Sequence, residues 1–248
     1  MERTDLVRVS PTGRIVFPGN PWPDGHAIEE FAWTGRIDPA GRLWFDLHLR
    51  SADYNTERTP EDDADGQDDK DDWSSPIVWN NYHCCTLSST YWGEDDETGF
   101  RAAEPGRAFL LTADQPQRLV ADPLPLAQFD DVESLAFNIY LLGHDSVADQ
   151  EVSFTRRADG RHDIDWQGRI ALTYVSRYEF EYEFRAQISG ATLDFIRFPA
   201  HFSVEQARQR LAAVLDAPEE FELGLVDGQP AWVSKPTIRR PGPVARPH

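Results

Sequence analysis

A five-residue pattern occurs twice in this chain, and each copy leads into a stretch whose side chains alternate between apolar and polar. Trp33-Thr34-Gly35-Arg36-Ile37 returns as Trp166-Gln167-Gly168-Arg169-Ile170. The first copy is followed by Asp38-Pro39-Ala40-Gly41 and then Arg42-Leu43-Trp44-Phe45-Asp46-Leu47-His48-Leu49-Arg50. The second turns near Thr173 to Ser176 and continues as Arg177-Tyr178-Glu179-Phe180-Glu181-Tyr182-Glu183-Phe184-Arg185. Alternation with period two places one set of side chains on a buried sheet face and the other in solvent. The predicted buried sets are Leu43, Phe45, Leu47 and Leu49, and Tyr178, Phe180, Tyr182 and Phe184. Each copy therefore reads as a β-hairpin, the first with Pro and Gly where a type I turn prefers them. A duplicated hairpin is the working reading, with convergent strand patterning as its alternative.

The remaining signals are also mostly β. Ile77 to His83, Thr86 to Trp92, Ala108 to Thr112, Arg118 to Ala121, Glu151 to Arg156, Arg161 to Trp166 and Thr192 to Phe198 are candidate strands between Pro and Gly punctuation. Leu135 to Leu142 is almost continuously apolar, which predicts a central strand buried on both faces. Asp159-Gly160 and Asp227-Gly228 signal hairpins, and Pro230 favours an edge. Ser203 and Gln206 form a capping box for a helix whose apolar residues, Val204, Ala207, Leu211, Val214 and Leu215, recur at helical spacing until Pro218. The expected fold is mainly β: an antiparallel β-sandwich or curled sheet built from two related hairpins, with one C-terminal amphipathic helix. A single domain over 1–234 is preferred to two small β-domains joined near Pro116 to Pro125, because one helix cannot cover two sheets.

Charge narrows the function classes. Forty-three acids against 24 Lys and Arg leave a net charge of −19 over 248 residues. That disfavours binding to a nucleic-acid backbone or an anionic membrane. From Glu61 to Asp72 there are eight acids and one Lys, which predicts a solvated, disordered loop; the tail 235–248 carries four bases, no acid and several prolines. No stretch of the sequence reads as a signal peptide or a membrane span, so a cytoplasmic location is expected, and the adjacent Cys84 and Cys85 are expected to be reduced thiols.

Chemistry-bearing patterns are weak. Glu61, Asp63, Asp65, Gly66 and Asp72 fall at EF-hand-like spacing, but Asp68 occupies the hydrophobic position, so a bland acidic loop is preferred to a calcium site. His83, Cys84 and Cys85 supply part of a zinc set or a thiol nucleophile without a fourth ligand, and His144-Asp145 is a pair without a nucleophile. Asp46 and Glu181 occupy equivalent places in the two copies, as a pair of glycosidase carboxylates would. No phosphate loop, nucleophile elbow or His-Glu-x-x-His helix is present. No catalytic residue and no cofactor is therefore assigned, and the metal question is left open at the acidic loop.

The leading expectation is a non-enzymatic acidic binding protein that holds, and in the stronger form neutralises, a basic partner protein, as immunity proteins do for toxins. Its predicted contacts are Trp44, Asp46 and His48 on the outer face of the first hairpin and Glu179, Glu181 and Glu183 on that of the second. The alternative is a carbohydrate- or small-ligand-binding β-sandwich with hydrolase chemistry, using exposed tryptophans among Trp22, Trp73, Trp79 and Trp92 to stack on sugar.

Overall fold

The computed structural model describes residues 11–56, 72–90, 97–126 and 135–235. Its strands are β1 (Thr12–Val16), β2 (His26–Ile37), β3 (Leu43–Ser51), β4 (Thr86–Ser89), β5 (Phe100–Ala103), β6 (Gln117–Ala121), β7 (Phe137–Tyr140), β8 (His144–Arg156), β9 (His162–Ala171), β10 (Tyr182–Ala191), β11 (Leu193–Arg197), β12 (Phe221–Val226) and β13 (Gln229–Ser234). The helices are α1 (Pro76–Trp79) and α2 (Val204–Val214). Among the described residues no helix is long and apolar enough to cross a membrane.

The expected sandwich is replaced by a closed barrel. Eight strands follow one another in the order β2, β1, β10, β9, β8, β7, β4, β3, and the pairing of β3 back onto β2 closes the ring. Every neighbouring pair in it is antiparallel. Closure comes from two long strands that each serve two partners along one edge. The twelve residues of β2 give His26 and Ala27 to β1, and further along take β11 in parallel from Trp33 onward. The thirteen residues of β8 give their first part to β7 and Gln150 to Phe154 to β6. A register shift between Ala148 and Glu151, with Asp149 at φ 49°, bends β8 as bulges do in barrels.

The register carries one continuous inner face around the ring. Trp33, Gly35 and Ile37 lie opposite Leu47, Phe45 and Leu43; Leu49 faces Leu87, which faces Ile139; Trp166 faces Ala186, which faces Ile15. These side chains are buried and fill the lumen, as the bore of an eight-stranded barrel allows. One end is closed by α2 and the β5–β6 connection, residues 104–116. Phe109 reaches Phe45 and Phe154 at ring distances of 4.8 and 5.7 Å, and its N–H donates to the Val214 carbonyl. The capping box at Ser203 and Gln206 starts α2, which buries Ala207, Leu211 and Val214 while Val204 stays exposed.

The repeated motif has a structural counterpart in a different register from the one the alternation predicts. Gly35 sits opposite Phe45 and Gly168 opposite Phe184. Phe45 therefore corresponds to Phe184, four residues beyond its expected partner Phe180. β10 begins only at Tyr182, because β9 ends at Ala171 and offers nothing further to pair with. Tyr178, expected in the core, is exposed, and Phe180 and Tyr182 are half-buried. Other expectations also change. Ile77 to His83 contains α1 rather than a strand, since Pro76 starts a helical turn. Ala108 to Thr112 makes one bridge, Phe109 with Leu215, and no strand. β7 alternates between buried Phe137 and Ile139 and exposed Asn138 and Tyr140, so the apolar run is half-buried. β13 lies inside the sheet, with Pro230 beyond the last β11 pair, and β12 is the edge. The acidic loop, except Asp72, and the tail, except Lys235, fall outside the described residues.

Candidate functional site

Barrel closure brings four connections to one end: residues 17–25, 52–85, 141–143 and 172–181, which join β1 to β2, β3 to β4, β7 to β8 and β9 to β10. This loop end is sealed by aromatic rings. Tyr54 lies 4.8 Å from His26 and 5.1 Å from Trp79 by ring centroids, Trp22 lies 5.3 Å from His26, and Trp73 lies 5.5 Å from Trp79. Hydrogen bonds tie the plug to the walls: Trp79 Nε1 donates to the Trp73 carbonyl (2.8 Å) and Trp73 Nε1 to the Pro18 carbonyl (2.9 Å). Trp73 also stacks on Tyr182 at 4.1 Å and 17°. Trp73, next to Asp72, and Tyr54 thus both pack on Trp79, and Asp72 lies 3.9 Å from Arg177 in the neighbouring loop.

Above this plug the surface is both apolar and acidic. Ile77, Tyr140, Tyr174, Val175 and Tyr178 are five of the ten exposed large hydrophobic side chains of the described chain, and all five belong to this end. The Tyr174 ring packs over Gly143, where a Cβ would come within 2.4 Å of it, so only glycine fits there. Burial and a hydrogen bond with Tyr174 push the Tyr82 hydroxyl up to about 12, which keeps it neutral at physiological pH. The 52–85 connection carries ten acids and two bases, the 17–25 connection one acid, and the 172–181 connection two acids and one base. Of these charges, Asp24, Asp53, Asp72, Glu179, Glu181 and Arg177 lie among the described residues, and 57–71 lie outside them.

The sequence-predicted contacts divide between this end and the barrel wall. Glu179 and Glu181 lie in the β9–β10 connection, exposed and without an ion pair among the described residues. They are not on one strand with Glu183, which is in β10 and is held by Arg169 (3.3 Å) and Arg185 (3.1 Å). Trp44, expected outward and exposed, is buried. Arg36 and Arg42 lie over its ring at 5.5 Å each, and its Nε1 donates to Asp38 (2.9 Å). Asp46 is engaged by Arg36, and His48 by Ser88 (2.6 Å) and Glu30 (3.7 Å). The wall acids chosen from alternation alone are largely matched by arginines on the next strand.

The other candidates do not assemble. Among the described residues no three His, Cys, Asp or Glu side chains converge as a metal site would require. His83 is exposed beside Asp53 (3.5 Å), whereas Cys85 is fully buried and its thiol is pushed up by that burial. His144 is exposed, and Asp145 is buried under the backbone N–H groups of Leu142 and Tyr174. Seven of the eight tryptophans are buried, including Trp22, Trp73 and Trp79, while Trp92 lies outside the described residues. A cleft of about 540 Å³ opens on the outer wall between β5 and β6, and one of about 320 Å³ lies between β9 and the β12–β13 hairpin. Among the described residues the first is lined by no Ser, Thr, Cys or Lys; in the second, the His162 ring is within hydrogen-bond distance of the Leu111 carbonyl and Lys235 Nζ donates to the Glu219 carbonyl. No protein-family model, no curated protein and no solved structure matches this chain.

Proposed function

We propose that the protein is an acidic, non-enzymatic binding module that holds a basic partner protein on its loop end. The observation that supports this reading is coincidence at one end: the described residues of the four connections carry Asp24, Asp53, Asp72, Glu179 and Glu181 against Arg177, and Ile77, Tyr174, Val175 and Tyr178 of the same connections are exposed, with Tyr140 at the adjoining end of β7. Protein interfaces combine aromatic anchors that supply affinity with a charged surround that steers encounter. Tyr140, Tyr174 and Tyr178 fit the first role, and Glu179 and Glu181 the second. Neutralisation of the partner, as an immunity protein does to a toxin, is the stronger form of the same reading. Trp44 and Asp46 leave the proposed contact set because arginines of their own chain already occupy them.

The test compares the intact chain with Glu179→Lys/Glu181→Lys and with Tyr174→Ala/Tyr178→Ala, each immobilised and exposed to native cell extract at low salt. A basic protein retained by the parent, released by salt and lost from both variants supports the proposal. Retention of no basic protein, or equal retention by all three forms, overturns it.

A further inference from the structure

Away from the loop end, the sheet that starts at β2 runs through β11 and β13 and stops at β12. Among the described residues no strand pairs with the outer edge of β12. The ladder phase shows which groups face outward. The Lys235 N–H donates to the Glu220 carbonyl (2.8 Å), and the register continues as Glu222 with Val233, Gly224 with Ala231 and Val226 with Gln229. In an antiparallel ladder hydrogen-bonded pairs alternate, so Phe221, Leu223 and Leu225 direct their N–H and C=O groups away from β13. Leu223 and Leu225 also carry exposed side chains, and Leu225, at 73%, is the most exposed large hydrophobic residue of the described chain. Natural edges are guarded by charge, lysine above all, by proline or by a bulge, and β12 has neither lysine, proline nor bulge and a single charge, Glu222.

We propose that β12 is a self-association edge, at which two copies of this chain pair antiparallel about a twofold axis centred on Leu223. In that register Leu223 meets its own copy, Phe221 meets Leu225, and Glu222 meets Gly224, so no charged side chain of the strand opposes its counterpart. Leu223 exchanges both backbone hydrogen bonds with its copy, and each Leu225 N–H donates to the copy's Phe221 carbonyl, while the Phe221 N–H stays on the Pro218 carbonyl of its own chain. A strand edge of this kind has itself as its simplest complement, and a twofold uses the edge up, so association ends at a dimer. Six residues a side make an interface smaller than stable dimers use, so the dimer is weak and concentration-dependent. Each copy carries −19, so added salt screens the repulsion and strengthens pairing. That is the opposite of the salt effect expected for a basic partner at the loop end, and pairing through β12 leaves that end free.

Sedimentation of the full chain from low micromolar to submillimolar concentration, at low and high salt, tests the proposal. The expected result is a monomer–dimer equilibrium that tightens with salt. Leu225→Lys, which puts a charge on the edge, is expected to weaken it about tenfold or more. Leu223→Pro removes one outward N–H without touching the β13 ladder and is expected to do the same, while Tyr178→Lys at the loop end leaves it unchanged. A chain monomeric at every concentration in high salt, a dimer indifferent to both edge variants, or open-ended polymers would overturn it.

Discussion

Arg36 is a permanent charge that the fold has almost removed from water: the residue is 3% exposed, its guanidinium engages Asp46 and the Thr98 carbonyl, and it lies 5.5 Å from the Trp44 ring. Breaking a buried pair leaves an uncompensated charge, which costs more than the pair itself contributes. Asp46→Asn is therefore expected to lose about 3 kcal/mol of unfolding free energy in urea titration, with Arg36→Met/Asp46→Leu recovering part of it. A smaller loss for the single variant would mean that Thr98 and solvent suffice for Arg36. His162 is the second buried ionisable group with a readable consequence. Burial is the main cause holding its imidazole below the usual histidine range, against a hydrogen bond to the Leu111 carbonyl, and its ring meets Trp33 edge-on at 5.3 Å. A histidine harder to protonate when folded stabilises the chain above its unfolded pKa of about 6.5, and that contribution is lost as pH falls through the lower folded value. His162→Gln is expected to lower stability at pH 7.5 and to flatten the decline as pH falls below about 6.5. Parallel pH curves for parent and variant would show that the decline comes from carboxylates instead.

The strand ladders explain why the doubled motif carries glycine. A Cβ on Gly168 would come within 2.6 Å of the buried Phe184 ring, whereas one on Gly35 meets the Ile196 side chain at 3.2 Å. Gly168→Ala is thus expected to cost about 1–3 kcal/mol, the range for overpacking a filled core, and Gly35→Ala clearly less, as paired urea titrations would report. Equal costs would remove the ring-over-glycine account. Ser203→Ala is expected to lose about 1 kcal/mol, because its hydroxyl accepts the Gln206 N–H at 3.2 Å. Elements of this kind were legible in the sequence: the capping box, the two Asp-Gly hairpins and the alternation of β3 all concern near neighbours along the chain. What was not legible depends on distant partners. The alternation of Tyr178 to Glu181 continues past the point where β9 ends, and period two says only that a strand would be half-buried if something paired with it. A sandwich and a barrel place the same alternating residues inward, and they differ in the ladders between distant segments, here β1 with β10 and β3 with β4. Nor does alternation distinguish an outward acid in solvent, such as Glu181, from one held by a neighbour's arginine, such as Asp46.

At the scale of the molecule, closure settles where function has room. Eight strands leave a bore that side chains can fill, and Trp166 stands in the middle of it, 1% exposed, with ring centroids of Phe137 and Phe184 at 5.1 and 5.7 Å and its Nε1 on Gln150 (3.1 Å). A barrel used as a ligand container would carry its specificity on this inner face. Here the face is occupied by the chain's own rings. Trp166→Ala tests that distinction directly. Removing a buried indole from a packed core is expected to cost about 3–5 kcal/mol, and the apolar space left behind should accept free indole, which would raise the variant's melting temperature and leave the parent's unchanged. Stabilisation of the parent by indole would mean that the lumen already admits ligands and that the loop end is its mouth. A variant that loses stability but gains no indole site would mean that Phe137 and Phe184 collapse into the gap, and that the lumen holds its shape only while the indole fills it.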